Sequence, residues 1–282
     1  DNNRLMQLKG KHLPWYTWLL HHYLFFRIPL VQPDRFLAAT LPYVRWLGSR
    51  WFMFTTLLAM FVGSVLVLRQ WELFTSHLVT SLTINNTWHY AVALTLVKTL
   101  HECAHAYSAK QFGCRTSTMG VAFLVLWPVL YTDVNEVWKL PCRRQRLLVG
   151  ASGILSELTV AAWATLAWAF LPEGGVRETA FVLAAITWIS SLLINLSPFL
   201  RFDGYFVLMD ALETPNLHAR SFAFARWWLR EILFGLDAPP PEPMSPARKR
   251  FLIVFALLVW VYRLIVFLGI AFLVYHFFIK VI

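Results

Sequence analysis

The stretch WFMFTTLLAMFVGSVLVL fills residues 51–68 and has no charged side chain in its 18 residues. About 18 consecutive apolar residues are enough for a helix to cross the hydrocarbon layer of a bilayer. Arg69 follows directly and closes the run. The stretch therefore predicts a transmembrane helix, and it decides the class of fold to which the whole chain belongs.

The composition of the full chain agrees with a membrane protein. Of its 282 residues 58% are hydrophobic and only 14% are charged, whereas a soluble domain has roughly a quarter of its residues charged. The net charge is +10, and the basic residues lie beside the apolar runs. This arrangement is typical of a positively charged cytoplasmic membrane face, so we expect a lipid bilayer and no nucleic acid as a partner.

The rest of the chain predicts an all-α polytopic membrane protein with about five transmembrane helices. Residues 13–31 are apolar but interrupted by His, Arg and Pro, which predicts an N-terminal helix lying in the membrane interface. Residues 119–132 are too short to cross and contain β-branched and aromatic residues, which predicts a short membrane-embedded strand or hairpin. The four further candidate spans are residues 88–111, 147–171, 180–200 and 251–278.

Charge in the short loops predicts the orientation, because cytoplasmic loops carry an excess of Lys and Arg. Residues 139–146 and 246–250 are strongly basic, whereas residues 172–178 are not. The N-terminus is then cytoplasmic and the C-terminus lies outside. The predicted parts are an interfacial and cytoplasmic segment 1–50, a membrane core 51–212, a polar, basic and Pro-rich cytoplasmic linker 213–250, and a C-terminal transmembrane helix 251–282.

Residues 101–105 read HECAH and predict a metal site. His101 and His105 are four residues apart and share one face of a helix, and Glu102 beside them can act as a general base. A catalytic zinc takes three protein ligands, and Asp203 lies at the cytoplasmic end of the fourth span, at the predicted depth of HECAH. The competing interpretation is a polar helix face satisfied by neighbouring helices, although ionisable residues within a span are costly and usually functional.

A second motif follows the first, since Asn195-Leu-Ser-Pro198 and Asp203-Gly204 come after HECAH. Together they resemble the signature of the site-2 proteases, HExxH with a later NxxPxxxxDG. The stretches TMGVAFLVLWPVLYTDVNEVWKL and DGYFVLMDALETPNL further resemble the bacterial branch named as peptide zinc metalloproteases. The resemblance implies that His101, His105 and Asp203 bind Zn²⁺, that Glu102 is the base, and that Asn195 binds the substrate backbone or polarises the scissile carbonyl.

The family's small-residue motif in the third core helix appears only loosely here, as GASGILSE. This departure leaves the role of Glu157 open. Lys98 is interpreted as an ion-pair or snorkelling side chain rather than as part of the site. Arg263 in the last span is expected to pair with a carboxylate such as Glu157, or otherwise to line a cavity or contact a partner.

The resulting prediction is an intramembrane zinc metalloprotease of the bacterial inner membrane that hydrolyses a peptide bond in a membrane-associated or peptide substrate. The resemblance also implies possible partners, namely a HlyD-like membrane-fusion adaptor domain or export components. The main alternative is a non-proteolytic zinc-binding platform of a peptide export assembly. A di-iron oxidase would need more clustered His residues than this chain has, and a haem-binding subunit is the remaining alternative.

Overall fold

The computed structural model describes residues 25–81, 87–124 and 127–281, and 75% of these residues are helical. The chain divides into two compact units, Asp1–Ile189 and Ser190–Ile282. The high helical content and four candidate membrane-spanning helices confirm the predicted all-α membrane fold. The boundaries of the four predicted parts stay a prediction.

The first unit combines helices with one small sheet. Its order is β1 (Phe25–Val31), α1 (Asp34–Val44), a 3₁₀ turn (Arg45–Gly48), α2 (Arg50–Arg69), α3 (Trp71–Ser81), α4 (Thr87–Gln111), β2 (Met119–Leu124), β3 (Trp127–Thr132), a second 3₁₀ turn (Asn135–Lys139), α5 (Arg143–Phe170) and α6 (Gly175–Ile189). The second unit contains a π-helical segment (Ser190–Asn195), α7 (Asp203–Ala211), α8 (Leu217–Phe234) and α9 (Pro246–Val281).

Four helical segments in the described residues are long and apolar enough to cross a bilayer: Arg50–Arg69, Arg143–Phe170, Gly175–Asn195 and Pro246–His276. In the first of them only 11% of the apolar stretch is buried inside the protein, as expected for a helix that faces lipid. Helix α4 has 25 residues and is long enough to cross, but its ionisable side chains lower its hydropathy. The orientation of the termini stays a prediction.

The predicted interfacial helix over residues 13–31 is wrong where the structure describes it, because Phe25–Val31 forms strand β1. Its remaining residues lie outside the described part of the chain. Aromatic and β-branched residues favour a strand, and Pro29 would break an interior helix. The predicted hairpin at residues 119–132 is confirmed as β2 and β3, and β1 adds to it in the antiparallel order β1-β2-β3.

Helix α5 is the centre of the first unit and packs against α2, α4 and α6. Its buried face consists largely of small residues, which allows neighbouring helices to approach closely. A Cβ atom at Gly63 of α2 would lie 3.2 Å from the backbone nitrogen of Leu166 in α5. The buried positions of α5 are Val149, Gly153, Ile154, Glu157, Ala161, Ala162, Ala164, Thr165 and Trp168.

The second unit has its own apolar core, in which α8 packs against α9. Much of the predicted linker 213–250 is therefore helix α8, whose apolar face is covered by the last helix. The buried residues of this core are Tyr205, Met209, Leu217, Phe224, Leu252, Ile253, Phe255 and Val259.

A hydrogen-bonded carboxylate ties α1 to the end of α4. Lys110 Nζ lies 2.8 Å from Asp34 Oδ1, and the backbone nitrogen of Thr116 donates to the same oxygen at 3.1 Å. The hydrogen bond from Lys110, opposed by some desolvation, holds the pKa of Asp34 below its ordinary value of 3.8. A lowered folded-state pKa stabilises the fold above the unfolded-state pKa, and this stabilisation is lost as the pH falls through the folded-state pKa.

We therefore expect Asp34→Asn to lower the thermal unfolding temperature in detergent at about pH 7. The loss in free energy of unfolding should be below ~1 kcal/mol, because the pair is partly exposed. The difference from the parent should shrink as the pH is lowered towards about 3. Asp237→Asn is the control, because Asp237 is exposed and its φ of 50° suits Asn equally well. Identical unfolding temperatures for Asp34→Asn and the parent at neutral pH would contradict the prediction.

Candidate metal centre

The two His residues of HECAH lie on the buried face of α4. Only 5% of His101 and 9% of His105 is exposed. Ala93, Val97 and Ala109 continue the spacing of four on either side of the two His residues, and Ala106 is also buried. The predicted sharing of one helix face by the two imidazoles is therefore observed, and that face packs against α5 and α6.

The imidazole of His105 is oriented by the backbone of α5. Its Nδ1 lies 2.8 Å from the carbonyl oxygen of Val149. A carbonyl oxygen can only accept, so Nδ1 bears the hydrogen and Nε2 retains its lone pair. Ser152 Oγ donates to the same carbonyl at 2.7 Å and lies 3.3 Å from Nδ1. His105 is thus held in the tautomer that leaves Nε2 available as a ligand.

The imidazole of His101 is oriented by a side chain of α5. Its Nδ1 lies 2.9 Å from Glu157 Oε1, and Lys98 Nζ lies 2.8 Å from the same oxygen. A carboxylate at this distance favours the tautomer in which Nδ1 of His101 bears the hydrogen. The expected ion pair of Lys98 is therefore present, and its partner is Glu157.

The Nε2 atoms of His101 and His105 face each other at 3.2 Å. With both Nδ1 atoms acting as donors, two lone pairs converge there, which is unfavourable unless a cation or a proton lies against them. Tetrahedral zinc with Zn–N bonds of about 2.0–2.1 Å places two nitrogen ligands about 3.3 Å apart. The two imidazoles therefore fit a zinc ion in both separation and tautomer.

Gly153 provides the space in which the imidazoles meet. A Cβ atom at this position would lie 2.4 Å from Nε2 of His105 and 2.5 Å from Nε2 of His101. Any other residue at position 153 would thus collide with the nitrogens that face each other. The sequence motif around Gly153 did not predict this role, although a glycine inside an apolar helix is a signal that could have revealed it.

Glu102 lies beside His101 and is half-buried. Its backbone carbonyl accepts a hydrogen bond from Thr132 Oγ1 at 3.2 Å. This contact joins the end of strand β3 to the HECAH turn of α4. The function of the Glu102 carboxylate as a base stays a prediction.

Asn195 and Asp203 belong to the second unit. Asn195 ends the π-helical segment and is 5% exposed. Asp203 is half-buried in the first turn of α7, where a Cβ atom on the next residue, Gly204, would lie 2.4 Å from the carbonyl oxygen of Leu196. The close approach places the first turn of α7 against the end of the π-helical segment. The meeting of Asp203 with the imidazoles of the first unit stays a prediction, as does the function of Asn195.

Comparison with known proteins finds one similar curated protein. It comes from Bacillus subtilis (strain 168) and carries the provisional name peptide zinc metalloprotease protein YydH; it is 31% identical to this chain over 115 residues. The match covers 40% of this chain and 44% of that protein, so less than half of the relative's length is spanned. No family model and no solved structure matches the chain. The similarity supports a relationship to zinc metalloproteases in general.

Proposed function

We propose that the protein is an intramembrane zinc metalloprotease of the site-2 type. The observation that supports this most strongly is the pair of Nε2 atoms that face each other at 3.2 Å on a buried helix face. His101 and His105 would hold the ion, with Asp203 as the third ligand. When bound, zinc supplies a Lewis acid that polarises the scissile carbonyl and makes water a better nucleophile.

The remaining chemistry belongs to side chains of the chain itself. Glu102 accepts a proton from the attacking water and donates it to the leaving amine, as a general base and then a general acid. Asn195 has an amide that can donate a hydrogen bond to the scissile carbonyl or to the substrate backbone. The half-buried position of Glu102, one residue from a proposed ligand, suits this function.

The substrate of such an enzyme must be locally extended, because a transmembrane helix hides its peptide bonds in its own hydrogen bonds. Among the described strands, β3 pairs only with β2, so its other edge has no strand partner, and helix α4 packs against β3. Thr132, at the end of β3, is hydrogen-bonded to the Glu102 carbonyl. An extended peptide that pairs with this edge would therefore lie beside the HECAH turn, a recognition mode that supplies affinity through main-chain hydrogen bonds.

The proposal places the chain in a bacterial inner membrane with its N-terminus in the cytoplasm and its C-terminus outside. The basic loops described above support this orientation. A peptide or a transmembrane protein is the proposed substrate, and a HlyD-like adaptor domain or export components are the proposed partners.

Metal removal tests the proposal. We expect the purified chain to bind about one zinc ion, and a chelator to abolish its hydrolysis of quenched fluorescent peptides until zinc is restored. His105→Ala should weaken zinc binding by at least about 100-fold, since even groups behind the ligands change metal affinity by about 10–100-fold. His89→Ala is the matched control, because His89 is on the same helix and exposed.

Two outcomes would contradict the proposal: hydrolysis that survives complete removal of metal, or normal zinc content in His105→Ala. Stoichiometric zinc without hydrolysis of any peptide, in a chain that supports export, would favour the platform function instead.

A further inference from the structure

We propose that Glu157 is a positioning residue, whose carboxylate fixes the imidazole of His101 for metal binding while Lys98 balances its charge. This inference rests on the proposed function and extends it to a second layer of the site. Neither the sequence motifs nor the similarity to the B. subtilis protein assigns a role to Glu157.

The geometry shows that one carboxylate oxygen is shared by two partners from α4. His101 Nδ1 lies 2.9 Å and Lys98 Nζ lies 2.8 Å from Glu157 Oε1. The side chain of Glu157 is 0% exposed and that of His101 is 6% exposed, whereas that of Lys98 is 28% exposed. The carboxylate is thus sealed from water on the side of the imidazole, and the ammonium group lies on the outer side.

The complete burial of the Glu157 carboxylate indicates that its contacts have a function. A carboxylate without water is strongly unfavourable unless it is paired and hydrogen-bonded. If Glu157 only joined two helices through Lys98, a partly exposed ion pair would be sufficient and the imidazole contact would be unnecessary. The observed carboxylate oxygen also lies 2.9 Å from Nδ1 of a ligand candidate, and a carboxylate behind the ring is the usual arrangement for metal-binding His residues.

Helix α5 supplies both hydrogen-bond acceptors with a spacing that matches the ligands. Val149, Gly153 and Glu157 are each four residues apart and lie on one face of α5. The carbonyl of Val149 lies 2.8 Å from Nδ1 of His105, and the carboxylate of Glu157 lies 2.9 Å from Nδ1 of His101. The glycine between them leaves room for the two Nε2 atoms. The ligands on α4 are also four residues apart, so the pairing requires α4 and α5 to run antiparallel.

The two acceptors differ in charge, and this difference predicts different functions. Val149 offers a neutral carbonyl to His105, whereas Glu157 offers an anion to His101. A carboxylate behind an imidazole fixes the tautomer and raises the basicity of the opposite nitrogen. We therefore expect His101 to be the stronger of the two nitrogen ligands, and its strength to depend on the charge of Glu157.

The test compares Glu157→Gln and Glu157→Leu with Ser156→Ala in the full-length chain in detergent. Glutamine keeps an acceptor for Nδ1 but removes the charge, and leucine removes the acceptor. We expect zinc affinity, measured by competition with a chromogenic chelator, to fall about 10–100-fold in Glu157→Gln and further in Glu157→Leu. Ser156 Oγ donates to the Gly153 carbonyl oxygen of its own helix at 2.8 Å, so Ser156→Ala should match the parent.

Two additional measurements separate positioning from folding. The absorption spectrum of the Co²⁺-loaded chain should change in Glu157→Gln, because the geometry or strength of one nitrogen ligand changes. The unfolding temperature of the metal-free chain shows how much loss of the Lys98 ion pair alone destabilises the fold, and zinc affinity is then compared for the folded fraction. Lys98→Arg keeps the charge that balances Glu157 and should bind zinc as the parent does.

Zinc affinity and a cobalt spectrum equal to those of the parent in both Glu157 variants would overturn the inference. A fall in metal-free unfolding temperature with unchanged zinc affinity of the folded fraction would also overturn it, since Glu157 would then be only structural. These results are distinct from failure of the proposed function, which appears as a parent that binds no zinc or as hydrolysis that survives metal removal.

Discussion

Glu102→Gln is expected to reduce peptide hydrolysis by about 10²–10⁴-fold, the usual contribution of a general base. Glutamine has nearly the same size and can still form hydrogen bonds, but its amide cannot accept a proton from the attacking water. Glu102 is half-buried beside His101 and is not one of the proposed ligands. Zinc affinity should therefore stay within a few-fold of that of the parent, which separates this variant from His105→Ala.

The measurement has two parts: the natural substrate is first identified, and its cleavage is then assayed. New peptide termini in membranes that contain the parent chain are compared with those in membranes that contain Glu102→Gln, and the peptides that differ are then assayed with purified protein. Glu178→Gln is the control, since Glu178 is an exposed carboxylate in the first turn of α6. Cleavage of such a substrate by Glu102→Gln at the rate of the parent would remove Glu102 from the mechanism.

The long apolar helices could be predicted closely from the sequence. The predicted span 51–68 is observed as Arg50–Arg69, and the predicted span 88–111 as Thr87–Gln111. Uncharged runs determine helices of this kind, because a backbone in lipid must satisfy its own hydrogen bonds. The position of His101 and His105 on one face of α4 follows from their spacing of four residues in a helix, so this half of the site was also predictable.

Features that depend on partners distant in the sequence could not be predicted. Residues 25–31 were expected to be helical, because an apolar segment with Arg and Pro fits both an interfacial helix and an edge strand. Pairing with β2, which is distant in the sequence, favours the strand. Helix α8 was hidden in a basic, Pro-rich segment, and its apolar face is recognisable only once α9 covers it.

The second layer of the metal site was missed for a related reason. The sequence shows that Lys98 and Glu157 are ionisable residues within apolar helices, but it does not show the rotation of one helix relative to the next. The rotation determines whether Glu157 contacts the Lys98 ammonium group, the His101 imidazole or both. The structure shows both contacts on one oxygen, and the small residues of α5 make the approach possible.

Gly153→Ala is expected to weaken zinc binding strongly while the rest of the fold is kept. The added Cβ would lie 2.4–2.5 Å from the Nε2 atoms of His105 and His101, so at least one imidazole must turn away. Each imidazole has its Nδ1 within 2.9 Å of an oxygen of Val149 or Glu157, and turning would lose that contact as well. Overpacking of this kind costs about 1–3 kcal/mol, which corresponds to roughly 5- to 150-fold in zinc affinity.

Gly269→Ala is the matched control, because Gly269 lies within helix α9 and has nothing within 4 Å of the added Cβ position. Both substitutions replace a helical glycine by alanine, which alone favours the helix by up to about 1 kcal/mol. Helix propensity would therefore stabilise both variants, and only the collision at the imidazoles distinguishes them. Zinc affinity is measured by chelator competition and folding by the unfolding temperature of the metal-free chain. If Gly153→Ala binds zinc as tightly as Gly269→Ala, the ion does not lie between these imidazoles and the metal centre must be sought elsewhere.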